Sequence, residues 1–181
     1  EKTQDLAVVA WDADPKLNDL KRLQQFRDAR QYLLGFGSKR NPLLAEHVKL
    51  CDAWVDADTD PKDLDPGKLN HVVNAVSGWV WMAECIAAHT RKGRMPPMWK
   101  SWAMEDGRDW SDRFFRKVKY HNNLPVTPIP KGVLGKAFLH RIRSQLLTLE
   151  NTQLPSIRSF ADTIAVESRA GRRTVVASSG H

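Results

Sequence analysis

A chain of 181 residues, 41% apolar and 27% charged, can close a core without a disulfide or metal and is too apolar for a wholly disordered polymer. Its formal charge of +7 and isoelectric point near 9.6 favour encounter with polyanions or small phosphorylated ligands. No stretch approaches the ~20 uninterrupted apolar residues of a membrane helix. The most apolar run, Val72 to Ala88, is broken by Asn74, Ser77, Gly78 and Glu84, so no membrane span is expected.

The first element expected is a helix over roughly 15–34. Asp14 and Pro15 read as an N-cap and first turn, Leu17, Leu20, Phe26, Leu33 and Leu34 give a partial stripe, and Gly35 and Gly37 end it. Asn41-Pro42 restarts a helix over roughly 42–55, with Leu44, Val48, Cys51 and Val55 spaced at four and three residues. The acidic stretch Asp56 to Asp65 closes it as a loop. Its Asp56, Asp58 and Asp60 have the spacing of a calcium loop, but that loop's glycine and closing glutamate are missing, so no metal is expected there.

From Gly67 to about Thr90 a long apolar helix follows, and Gly93, Pro96 and Pro97 then break regularity. Residues 91–130 read as a long ordered loop region with one short helix near 109–118 and with most of its tryptophans, Trp99, Trp102 and Trp110, packed. After Pro130, Leu134, Phe138, Ile142, Leu146 and Leu149 mark a strong helix whose stripe is expected to be core. Pro155 interrupts it, and Ile157, Phe160, Ala161 and Ile164 carry a further helix to Arg169, where Gly171 suits a left-handed C-cap. Thr174-Val175-Val176-Ala177 reads as a buried strand closed by the loop Ser178-Ser179-Gly180. The expected fold is therefore mainly α, about five to six helices, leading into the first strand of an α/β domain. Its divisions are 1–130, helical with the basic loop at 91–130, and 131–181, helices and first strand.

Charge is unevenly spread: residues 1–65 hold ten basic and thirteen acidic groups, whereas 91–119 hold nine and four. In the latter, Arg91, Lys92, Arg94 and Lys100 interleave with Trp99 and Trp102, and Arg113, Arg116, Lys117 and Lys119 with Phe114, Phe115 and Tyr120. That pattern suits nucleic acid, since cations meet phosphates and rings stack on bases; it equally suits core anchors under a solvated charged face. The histidines, His47, His71, His89, His121, His140 and His181, never fall at metal spacing with one another or with the cysteines, so no metal site or cofactor is expected. His121, in a polar Tyr-His-Asn-Asn turn beside the basic segment, is the candidate ligand contact. Cys51 and Cys85 read as buried free thiols in preference to a disulfide. Glu1 follows no basic-then-apolar leader, which fits a trimmed chain or a mature exported protein; a soluble protein is expected, with the cytoplasm favoured.

The segment Ile157 to Gly180, with its amphipathic helix, the turn Arg169-Ala170-Gly171-Arg172, the apolar strand and the Ser178-Ser179-Gly180 loop, resembles the entrance to a SIS (sugar isomerase) domain. More loosely, Arg91-Lys92-Gly93-Arg94-Met95-Pro96, Tyr120-His121-Asn122-Asn123 and Gly132-Val133-Leu134-Gly135 are similar to the helical lead-in of bacterial SIS-domain proteins. The resemblance implies a doubly wound α/β sandwich whose loop serines hold a sugar phosphate, so Ser178 and Ser179, with Gly180, carry over as ligand-binding positions. It places the second serine cluster and any catalytic Glu or His beyond His181. Three functions follow as expectations: sugar-phosphate binding, with catalysis left open; a basic helical nucleic-acid-binding or packaging protein; and a structural protein that forms a homo-oligomer or completes its sheet with a partner chain.

Overall fold

The computed structural model describes residues 5–11, 17–60, 66–114, 117–121, 124–173 and 175. The chain is mainly helical with a small parallel sheet, and its contacts divide it into two compact units, residues 1–82 and 83–181. Of the expected buried strand at 174–177 only Val175 is described, and it lies in no strand and is 86% exposed; the Ser178-Ser179-Gly180 loop lies outside the described residues.

The first unit alternates strands and helices: β1 (Leu6–Ala10), α1 (Leu17–Asp28), β2 (Tyr32–Gly37), a 3-10 turn at Pro42–Leu44 running into α2 (Ala45–Leu50), and β3 (Ala53–Asp56). The strands are parallel in the order β1-β2-β3, with Val8 opposite Leu34 and Phe36 opposite Val55. This corrects both expected helices. The first ends at Asp28 rather than near 34 because Arg30, at φ 57°, supplies the left-handed cap that usually signals itself as glycine, while the Gln31 amide reaches back to the Phe26 carbonyl at 3.1 Å. The second ends at Leu50. Cys51 turns extended, and the Asp52 carboxylate accepts the Leu33 amide at 2.8 Å, pinning β3 to β2.

Gly35 and Gly37 are residues of a central strand, not helix stops. Both neighbour Trp54 of β3, whose indole lies across that face of β2, stacks on Trp11 at 5.4 Å and donates from Nε1 to the Gly37 carbonyl at 3.0 Å. A β-carbon on Gly35 would stand 2.6 Å from the indole Cζ3, so the glycine makes room for the ring. Leu23, Leu33 and Leu44 complete this core with Trp11. On the other face Phe36 meets Trp81 edge to face at 6.5 Å, and Asn74 donates to the Trp11 carbonyl at 2.7 Å; both residues come from the long helix α3 (Pro66–Thr90). Asp58 and Asp60, read above as a weak calcium pattern, pair with Arg40 at 2.7 and 3.7 Å, and Asp56 accepts the Lys39 and Asp58 amides.

The second unit begins with the last turns of α3 and adds α4 (Gly107–Phe114), α5 (Val133–Thr148), a π-helical turn at Leu149–Gln153, and α6 (Leu154–Arg169). The short helix expected near 109–118 thus begins at Gly107. The Glu84 carboxylate of α3 accepts the Gly132 amide at 2.8 Å and the Gly135 amide at 2.9 Å, capping α5. Those two bonds, and then Arg91, hold its pKa below the ordinary carboxylate value. Thr90 is buried and accepts the Ile129 amide at 3.0 Å. Pro155 falls in the first turn of α6 and does not break the run, and Gly171 adopts the left-handed cap, φ 74°. One expectation fails: the α5 stripe is not core. Leu134, Phe138 and Ile142 are half-buried, but Leu146 and Leu149 are exposed.

Candidate functional site

The 91–121 segment folds back on itself through one backbone bridge. The amide of His121 donates to the Met95 carbonyl at 2.9 Å, joining two positions 26 residues apart. Gly107 closes the other side. A β-carbon there would collide with the Ser101 carbonyl oxygen and lie 2.7 Å from its carbon, so only glycine lets α4 start against the 101–106 turn. With α4 so placed, Trp110 Nε1 donates to the Met98 carbonyl at 2.9 Å and Ser111 Oγ to the Lys100 carbonyl at 3.0 Å.

The result is a cleft of about 300 Å³ lined by Met98, Trp99, Lys100 and Trp110. Behind Trp110, the His121 ring lies 5.5 Å from the indole and 4.7 Å from Phe114. Lys100 sits at the rim with its ammonium 6.0 Å from the Trp110 ring centre and ion-paired to Asp106, whose pKa is held down chiefly by that hydrogen bond. Trp99 is 50% exposed and Trp102 63%. Only Trp110 of the three is packed, which corrects the expectation that most would be. Seven tryptophans in one chain suggested burial by size, but size gives no cover where the neighbouring turn is short and polar.

The candidate residues therefore separate into two groups. Lys100 and His121 meet at Trp110. Arg94 is exposed and stacks over Tyr120 at 5.3 Å, itself next to His121 in sequence. Arg91 donates to the Ile129 carbonyl at 2.9 Å and so ties the loop to α3, while Lys92 is an exposed residue of the turn after it. Ser178, Ser179 and Gly180 lie outside the described residues. Sequence reasoning missed Met98 and Gly107; a glycine between Asp106 and Arg108 signals a turn but not which carbonyl it passes.

His47, buried in the first unit, meets Trp11 edge to face at 5.1 Å; burial lowers its pKa against the opposing pull of Asp19 and the Leu43 backbone, and it serves packing. Cys51 and Cys85 are free thiols, and burial, then Asp52, pushes Cys51 up to about 11. Among the described residues no group of three or more His, Cys, Asp or Glu side chains is placed to hold a metal, and no helix is long and apolar enough to cross a membrane. Comparison with protein-family models, with curated proteins and with solved structures gives no match.

Proposed function

We propose that this chain binds a small phosphorylated sugar, and that the cleft at Trp99, Lys100 and Trp110 holds it. The observation that carries the reading is an exposed indole beside an ammonium at the mouth of an apolar cleft. An apolar ring face suits the C–H surface of a sugar, and an ammonium suits phosphate. Ligand clefts combine such walls with few polar groups, and about 300 Å³ is at the small end of their range. The sugar-phosphate class itself rests on the SIS resemblance of residues 157–180; the cleft adds a place for the ligand within the basic half of the chain. No catalytic residue is assigned.

Calorimetry with hexose phosphates, free hexose and inorganic phosphate tests this. Trp99→Ala and Lys100→Ala should each weaken hexose-phosphate binding about tenfold, roughly 1.4 kcal/mol, whereas Ser178→Ala with Ser179→Ala should leave it unchanged. Loss only in the serine pair would move the site to the loop that the resemblance names. Undiminished binding in all three variants, or none by the parent chain, would remove the proposal.

A second reading has its own observation. Basic and aromatic groups continue past the cleft, with the Arg108 guanidinium 5.8 Å above the exposed Trp102 ring. That arrangement also stacks unpaired bases while neutralising phosphates. Affinity for a single-stranded oligonucleotide that falls steeply with salt, and falls again in Trp102→Ala, would favour nucleic acid over a sugar phosphate.

A further inference from the structure

From Val133 to Arg169 the helix is continuous through its π turn, which at 1.5 Å per residue makes it about 55 Å long. Beyond Ile142 almost all of it is exposed, including its apolar residues: Leu146 is 58% exposed, Leu149 44%, Ile157 49% and Phe160 68%. An apolar row of this extent on a folded chain marks an interaction surface.

The row has a symmetry that names its partner. Ile142, Leu146 and Leu149 precede Gln153 at intervals of four, three and four residues; Ile157, Phe160 and Ile164 follow it at four, three and four. Read from either end, the stripe is the same. We propose that this helix packs antiparallel on the same helix of a second copy, about a two-fold axis at Gln153. In such an isologous contact Ile142 meets Ile164, Leu146 meets Phe160 and Leu149 meets Ile157.

Charge selects the same arrangement. Residues 131–148 carry Lys131, Lys136, Arg141 and Arg143 with no carboxylate, whereas 149–169 carry Glu150, Asp162 and Glu167 with only Arg158 and Arg169. A parallel pair sets the four cations against their copies; an antiparallel pair sets them against the acidic half. Glu167 already pairs with Arg172 of its own chain. Gln153, the polar residue on the axis, carries both a donor and an acceptor and can bond its own copy, as a central polar residue does when it fixes helix register.

Sedimentation equilibrium of the whole chain should show a dimer. Leu146→Asp with Phe160→Asp should raise its dissociation constant at least about a hundredfold while far-UV circular dichroism stays unchanged, both side chains being exposed in one copy. With Cys51 and Cys85 replaced by Ser, Gln153→Cys should oxidise to a symmetric cross-link, and Leu139→Cys, about 42 Å from its counterpart in this register, should not. A monomer at 100 µM, roughly the upper end of concentrations at which specific dimers form, overturns the proposal. So does a dimer indifferent to the Asp pair, or a Leu139→Cys chain that self-links as readily as Gln153→Cys.

Discussion

Gly35→Ala is expected to destabilise the first unit by about 1–2 kcal/mol, against the usual direction of a glycine-to-alanine change. Gly35 has no left-handed backbone to lose, so the cost is steric. The new methyl would press on the Trp54 ring, 2.6 Å from Cζ3 and in collision with Cε3, and stand 2.9 Å from Cys51 Sγ, where ordinary contact begins at 3.4 Å. The ring must therefore slide by nearly an ångström. It is held on two sides, by its Nε1 bond to the Gly37 carbonyl and by its stack on Trp11. Losing most of each costs about 0.5–1.5 kcal/mol apiece, and the stiffer unfolded chain returns about 0.4–1 kcal/mol. Gly78→Ala is the control. It lies inside α3 with nothing within 4 Å of a new β-carbon, so it should stabilise by about 0.5–1 kcal/mol. Urea unfolding followed by far-UV circular dichroism measures both. Adding Trp54→Val to Gly35→Ala should abolish the alanine's cost, because the obstructing ring is gone. A cost that persists in that background, or a Gly35→Ala chain as stable as the parent, would refute the argument.

Two further outcomes follow from titratable groups. The folded-state pKa of Glu84 is depressed from 4.5, so its capping bonds stabilise the second unit above about pH 4.5 and that contribution fades as pH falls through the folded value; the melting difference between parent and Glu84→Gln should shrink on acidification, and a constant difference down to pH 2.5 would contradict the cap. With its thiol at about 11 rather than 9.0, Cys51 should react with iodoacetamide at pH 8 about a hundredfold more slowly in the folded chain than in urea, followed by mass spectrometry of the Cys51 peptide; equal rates would mean that the pocket beside Trp54 does not exclude water.

Long helices were legible and short strands were not, for a reason visible in β2. Leu33 and Leu34 fit a helical stripe as well as a buried strand, and a run of six residues cannot separate the two by period. The usual arbiter is a stop signal, and here both signals misled. Arg30 ended α1 without a glycine, and the two glycines that seemed to end it sit inside the strand, tolerated because an indole 19 residues later fills the space they leave. β1 and β3, five and four residues long, are shorter still. α3 was readable because 25 residues of apolar period outweigh any local ambiguity.

The exposed stripe of α5 and α6 and the cleft at Trp110 mark the same limit from opposite sides. Periodicity says which side chains share a face, and it placed Ile142, Leu146 and Leu149 together correctly; it carries nothing about what covers that face, so core and interface read alike. The cleft inverts this. Its members are close because of a Met95–His121 bridge and a Gly107–Ser101 approach, neither of which leaves a period in the sequence, yet each end bore a chemical signal of its own: a histidine in a polar turn, a lysine between tryptophans. Long-range contact made from single residues is invisible to pattern, and visible only as residue types that are costly to keep without a use. Trp99 and Trp102, half-exposed or more and flanked by Lys100 and Arg108, are such residues, and burial of both rings by ligand is the step that would account for them.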